Sequence, residues 1–365
     1  MRHSLRAAVM ALLTVALLLG LGYLEFRVRD LSPEGPRELV VERGARAISV
    51  VERAGQHSLT PSWLVWCFAR LQFGSLAFKA GVYDLAPGSS FHDLLRTMQR
   101  DSGRKLYWQA LEGQNLAQLR QSLAELPFLR RESANLSDAA LLERLRGHGE
   151  GGVAGNRSAR NAGLDAMELE RKLDYLEGLF YPDRYRYVPG MSDVELLAAA
   201  RKRQLLLLAE VWSRRPLDYP LYSAGELLTL ASLIEKETGR AQDRQRVAAV
   251  FLNRIRLGMR LQSDPTVIYG RINRDPLAPI TRSDLQEDHP FNTYTRYGLP
   301  PTPIAIPGKA ALEAAIDPSA ERSLYFVARG DGSSEFSETL QAHNAAVQRY
   351  LRGTQRNTSE AGRRS

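Results

Sequence analysis

The sequence predicts an α+β fold carried behind a single N-terminal transmembrane helix. Three observations predict it. A short basic tail, MRHSLR, is followed by roughly eighteen uncharged and mostly apolar residues before Glu25, enough to span a bilayer as one helix. Between residues 39 and 100, strand-like segments alternate with helical patterns. From residue 101 helical patterns alternate with polar breaks, and from Ser223 to about Tyr350 helix, turn and proline signals are dense, closing with a hairpin pattern and a last helix.

Length and composition set the frame. A chain of 365 residues is long enough for two domains, and 44% hydrophobic with 25% charged residues is ordinary for a folded body with a real core. The net charge of +8 comes from 49 basic against 41 acidic residues, most of the basic ones arginine. Such an excess favours an anionic lipid, polymer or nucleic acid. The arginines are scattered, however, and form no basic run with interleaved aromatics, which argues against nucleic acid. The single cysteine, Cys67, excludes an intrachain disulfide or a Cys-based zinc cluster. In the run WLVWCFA it reads as a buried structural thiol.

Taken in order, residues 1–6 form a cytoplasmic tail and 7–26 the anchor. Arg2 and Arg6 ahead of the apolar run put the tail inside and the rest of the chain outside. A cleaved signal peptide is the competing reading, with Gly20-Leu21-Gly22 as a weak small-residue site. The long apolar run without an A-x-A pattern favours an uncleaved anchor. Residues 27–38, containing RDLSPEGPRE, read as a juxtamembrane linker.

The 39–100 segment reads strand, helix, strand, helix, the last helix entered from the Pro87-Gly88 turn with Ser89 or Ser90 as N-cap. An arrangement this short resembles a LysM-like module, the kind that lies along glycan chains. A mixed helix-and-sheet domain is expected over 101–351. It contains a glycine-rich, aperiodic stretch at 147–163 that reads as a flexible loop, and a helix starting near Ser192-Asp193. Residues 352–365 read as a disordered tail.

The run LLTLASLIEKETGRAQDR poses the functional question. Ser223-Ala224-Gly225-Glu226 has the form of a capping box. Behind it Leu227, Leu230, Ala231, Ile234 and Thr238 share one helical face, which Glu235 and Glu237 flank on opposite sides while Lys236 points outward. Spacing alone leaves open which glutamate borders a cleft, and whether either does, since Glu237 can also pair with Arg240 at i,i+3. Downstream, a second amphipathic helix ends at Gly258. Two polar, proline-stiffened loops follow, LQSDPT and FNTYTRYGLPPTP, whose amides and hydroxyls suit a sugar cleft. The hairpin turns at Gly330-Asp331-Gly332.

These segments carry a resemblance. ASLIEKET, RVAAVFLNRIRLGMRLQSDPTVIYG, FNTYTRYGLPPTPIAIPG and YFVARGDG, with KAGVYDLAPG and LEGLFYPDRY ahead of them, closely resemble the YceG-like family of endolytic murein transglycosylases. Relative to the family pattern, 147–163 looks like an insertion. The resemblance implies that the second glutamate of E-K-E-T, here Glu237, is the catalytic acid, with Thr238 beside it like the Glu-Ser pair of other lytic transglycosylases. It implies cleavage of the β-1,4 bond between N-acetylmuramic acid and N-acetylglucosamine in nascent peptidoglycan strands, giving 1,6-anhydro ends. No cofactor and no metal are implied, and neighbouring peptidoglycan synthases are implied as partners. The localisation implied is the bacterial inner membrane, with the working domain outside.

Chemistry explains how one glutamate suffices. Hydrolases need two carboxylates because water must be activated. When the muramyl C6 hydroxyl is the acceptor, one group can protonate the leaving oxygen and then take the hydroxyl proton. That requires a carboxyl held protonated by apolar surroundings, for which Leu230, Leu233 and Ile234 are available. Gln262, Asp264, Asn292 and Tyr294 are the expected substrate-binding residues. Asp264, before Pro265, also suits turn capping, and an Asp264 facing Glu237 would restore a two-carboxylate hydrolase. His343 reads as structural. A glycan-binding scaffold without turnover is the reading from another class.

Overall fold

A computed structural model of the chain describes all residues except 1, 33, 56–59, 75–77, 102, 148–165, 272–277 and 362–365, with backbone alone for 2–4 and 351–361. The glycine-rich stretch expected at 147–163 thus lies, but for Gly147, outside the described residues. The chain divides into two compact units. The first comprises residues 1–108, 125–131 and 186–193, and the second comprises 109–124, 132–185 and 194–365.

The first unit opens with α1 (Arg2–Val28), whose residues Leu5–Val28 are long and apolar enough to cross a membrane. Nearly all of it is exposed, but its end enters the unit's core: Phe26 is fully buried beside Leu31, Leu39, Val50, Phe91 and Met98. Then follow β1 (Arg37–Val41), α2 (Ala47–Ala54), α3 (Ser62–Phe73), β2 (Gly81–Leu85) and α4 (Phe91–Arg100). β1 and β2 pair antiparallel with Leu39 opposite Tyr83. Ser90 caps α4, its hydroxyl accepting from Asp93 N–H while the Asp93 carboxylate accepts from Ser90 N–H. Cys67 corrects an expectation: it is half-buried on α3, because Val65 and Ala69 are the residues that α3 turns to the core.

The chain changes unit within β3 (Leu106–Gln109) and β4 (Arg184–Tyr187). The second unit holds α5 (Leu116–Ala124), α6 (Asp138–Arg146), α7 (residues 166–172) and α8 (Asp193–Ser213). These are followed by α9 (Ala224–Glu237), α10 (Ala241–Arg256), α11 (Asp264–Gly270), α12 (Arg282–Gln286) and α13 (Lys309–Ile316). β5 (Tyr325–Ala328) and β6 (Ser334–Ser337) form the expected antiparallel hairpin before α14 (Leu340–Ala361). α14 is thus helical through 352–361, within the stretch expected to be a disordered tail.

α9 is the axis of the unit. The sequence predicts a helix with one buried face, but Leu228 and Leu233 are as fully buried as Leu227, Leu230 and Ile234. α10, α11 and α13 all pack on it, and a helix covered on every side is apolar on every side. At its start the Ser223 hydroxyl accepts from Glu226 N–H, while the Glu226 carboxylate reaches one residue further back, to Tyr222 N–H, so the capping box is not closed.

Candidate active site

The end of α9 separates the two glutamates. Glu235 turns toward α13, where its Oε2 accepts from Gly308 N–H at 2.9 Å. Gly308 is the N-cap of α13 and has no side chain to cap with, so Glu235 supplies a carboxylate at that helix start. Burial raises its pKa, and the Gly308 bond partly offsets that. Lys236 is exposed and donates to the Gly113 carbonyl at 3.2 Å.

Glu237 turns instead toward the loop that follows α10. Ser263 Oγ donates to its Oε1 at 2.5 Å. Burial pushes the Glu237 carboxyl up to about 7, and the nearby Asp264 carboxylate pushes the same way, while the Ser263 hydrogen bond and the Arg254 charge pull it down. A carboxyl in that range is protonated in a large share of molecules at neutral pH, which is what a general acid requires. Among the described residues no second donor reaches it, so one oxygen is held and the other is left for a substrate.

A closed set of hydroxyls fixes Ser263. Ser263 N–H donates to Thr293 Oγ1 at 3.0 Å, Thr266 Oγ1 donates to the Ser263 carbonyl at 2.6 Å, and the two threonine hydroxyls lie 2.9 Å apart. Because the Thr266 proton is spent on that carbonyl, Thr293 must be the donor to Thr266. Ser263, Thr266 and Thr293 are all buried. The preceding residue bears the conformational cost: Gln262 has φ of 51°, in the left-handed region that side chains avoid, while its N–H donates to the Thr293 carbonyl. Ser263 is the N-cap of α11, yet its hydroxyl makes no cap and goes to Glu237.

The expected site residues divide. Gln262 and Asp264 flank Ser263 and are exposed. Tyr294 donates its hydroxyl to Asp264 Oδ1 at 2.6 Å, and both burial and that acceptor raise the phenol pKa. Asp264 and Tyr294 therefore lie near Glu237, and Gln262 is tied to the same loops through its backbone. The Asn292 side chain is buried and fully spent on backbone. Its amide donates to the Asp284 and Glu287 carbonyls and its Oδ1 accepts from Tyr294 N–H, which braces the 284–294 segment. Thr238 is buried at the C-cap of α9, and its hydroxyl accepts from Arg240 N–H at 3.1 Å, which turns the chain into α10.

Two further charged groups went unmarked in the sequence. Arg254 on α10 is buried, its guanidinium donating to the carbonyls of Leu261 and Leu324, both at 2.7 Å, and lying 5.1 Å from the Tyr325 ring centre. Among the described residues it pairs with no carboxylate, so its charge acts on Glu237 through space. Glu177, in the LEGLFYPDRY segment, is a second buried carboxyl pushed up to about 7 by burial. Its oxygens accept from Leu116 N–H and from the Tyr269 hydroxyl at 3.0 Å. Ser263, in the middle of LQSDPT, carried a usable signal as a cap residue beside the expected Gln262 and Asp264. Arg254 and Glu177 carried none, because what they bind is backbone or far along the chain: Leu324 for Arg254, Leu116 and Tyr269 for Glu177. His343 stacks on Tyr325 at 5.2 Å, and burial lowers its pKa.

The family model of the YceG-like family matches residues 39–349, a span that includes every residue of this site. The chain belongs to the YceG-like family. A Bacillus subtilis (strain 168) protein named endolytic murein transglycosylase is 30% identical over 281 residues, 76% of this chain and 74% of that protein. A Streptococcus pneumoniae (strain R6) protein of the same name is 28% identical over 320 residues, 83% of this YceG-like chain and 56% of the pneumococcal one. In fold, the chain is similar to the crystal structure of a YceG-like protein from Listeria monocytogenes, with a TM-score of 0.54 and 26% identity, covering 86% of this chain and 99% of the other.

Proposed function

We propose that this protein is an endolytic murein transglycosylase, a lyase that cuts peptidoglycan strands internally with Glu237 as its acid. The observation that carries the reading is the state of Glu237: half-buried, its carboxyl raised to about 7, and engaged by a single donor among the described residues. The names of the B. subtilis and S. pneumoniae relatives support the substrate. With Ser263 donating to Oε1, the acid proton resides on Oε2, which delivers it to the glycosidic oxygen as the C1–O bond breaks. The carboxylate formed then accepts the proton of the muramyl C6 hydroxyl as that oxygen bonds to C1, closing the 1,6-anhydro ring and restoring the acid. Asp264 adds a negative charge beside a centre that becomes cationic at the sugar. Gln262, Asp264 and Tyr294 are assigned to substrate contact, Asn292 and Thr238 to bracing the elements that carry them.

α1 is read as a membrane anchor with residues 1–6 on the cytoplasmic side, placing both units outside the inner membrane near newly made strands. The LysM-like reading of the first unit is supported by its strand–helix–helix–strand order with antiparallel strands. It would lay glycan along that unit. A place beside the peptidoglycan synthases rests on the family resemblance alone.

The test is product analysis. Full-length protein in nanodiscs is incubated with uncrosslinked glycan strands, and the ends are identified by mass spectrometry beside Glu237→Gln. Anhydro-muramyl ends that disappear in the variant are the expected result. Reducing ends would instead mean hydrolysis with Asp264 as the second carboxylate. Bound but intact strands would leave a glycan-binding scaffold.

A further inference from the structure

We propose that α3 rests in the outer headgroup layer of the same bilayer that α1 spans, so that the first unit is held against the lipid by a second, peripheral contact. This rests on reading α1 as the anchor. The contact between the two helices fixes the depth. A Cβ at Gly22 would lie 3.1 Å from Leu64 and 3.4 Å from Phe68, so the missing side chain is what lets α3 approach. The Tyr23 ring meets Phe68 edge-on at 5.6 Å, and the Thr60 hydroxyl, just before α3, donates to Glu25. Eighteen residues from Ala7 to Leu24 make about 27 Å of helix, close to the hydrocarbon thickness, and Glu25 is the first charge beyond them. α3 therefore crosses α1 where the apolar core of the bilayer ends.

What α3 turns outward fits that depth. Its core side is Val65 and Ala69. Its opposite face carries Trp63 and Leu71, 62% and 83% exposed, with half-buried Trp66 and Cys67 between them and Arg70 as the one charge. Positions 63, 66, 67, 70 and 71 follow the spacing of a single helical face. The other two helices between and after these strands behave differently: α2 exposes Glu52 and Arg53, and α4 exposes Asp93, Arg96 and Arg100. An outward face of two tryptophans, a leucine and one arginine is the composition of a membrane interface, where indole rings sit at headgroup level and the guanidinium reaches phosphate. On α1 itself, Leu17, Leu18, Leu21 and Leu24 are exposed as a lipid-facing helix requires.

Spin-label depth measurement tests it on the full-length chain in nanodiscs of phosphatidylethanolamine and phosphatidylglycerol. In a Cys67→Ser background, nitroxides are placed by Leu71→Cys, by Glu52→Cys on α2 and by Leu13→Cys within α1, and collisions with oxygen and with a nickel chelate are compared. The expected oxygen-to-nickel ratio at position 71 is several-fold above that at 52 and below that at 13, with Trp63→Cys repeating the value at 71. A ratio at 71 and 63 equal to that at 52, with 13 lipid-buried, overturns the α3 contact alone. An aqueous value at 13 removes the anchor and this inference together.

Discussion

Glu177 and Glu237 are two carboxyls of the second unit that burial pushes to about the same value, near 7, and their surroundings diverge from there. Both oxygens of Glu177 accept from the Leu116 N–H, and the Tyr269 hydroxyl adds a further donor. Among the described residues Glu237 has Ser263 alone. Burial sets the proton affinity in both places, whereas the number of donors decides whether a carboxyl can serve as a strut or, as proposed for Glu237, as a reagent. A saturated group has nothing left to offer a substrate.

The largest effect expected is at the reagent. Glu237→Gln lowers glycan cleavage by roughly 10²–10⁴-fold in an assay of released ends, without loss of folded structure by circular dichroism. Next comes stability against pH. Both carboxyls have folded pKa values above the ordinary carboxylate value, so the folded state binds more protons than the unfolded one between about 4.5 and 7. Their contribution is therefore intact below that window, falls as pH rises through it, and is fully lost above it, by up to ~3 kcal/mol for each. Denaturant titrations at pH 5 and pH 8 should show a smaller decline for Glu237→Gln than for the unaltered chain. An equal decline would mean that Glu237 is ordinary.

At the strut, Glu177→Ala leaves the Leu116 N–H and the Tyr269 hydroxyl without their acceptor. It should cost about 1–3 kcal/mol in the same titration, yet leave cleavage measurable wherever the variant is folded. Loss of cleavage in folded Glu177→Ala would erase the distinction between the two groups. Ser263→Ala should lower kcat roughly ten-fold with KM little changed. Because the hydroxyl holds the Glu237 pKa down, its removal moves the alkaline limb of the pH–rate profile upward. Asp264→Asn should move that limb the other way, because the carboxylate raises it. Smallest of all is Glu235→Gln, which retains an oxygen acceptor for Gly308 N–H and should leave kcat unchanged.

Much of this was legible in the chain. The long apolar N-terminal helix, the capped α4 and α9, the closing hairpin and the loops around Gln262 and Tyr294 all follow from local pattern, and the family resemblance singled out Glu237 where helical spacing could not. Local pattern was least informative where a polar side chain chooses between near and distant partners. Asn292 in a polar loop suits a sugar, but its amide is consumed by carbonyls five and eight residues away. Ser263 begins a helix, but its hydroxyl crosses to a residue 26 positions earlier. α9 reads as amphipathic from its spacing alone, yet α10, α11 and α13 pack around it, and α11 and α13 lie too far along the chain to show in a local pattern.

Arg254 gives the site an order of assembly. Its guanidinium joins the Leu261 carbonyl, at the root of the loop carrying Ser263, to the Leu324 carbonyl at the edge of β5. A chain emerging from its N-terminus presents Glu237 and Ser263 early, but that buried cation has only the Arg260 and Leu261 carbonyls until Leu324 arrives. A polypeptide that has not yet reached β5 thus carries Glu237 without the fixed charge beside it, and the candidate site is assembled only once Leu324 is in place.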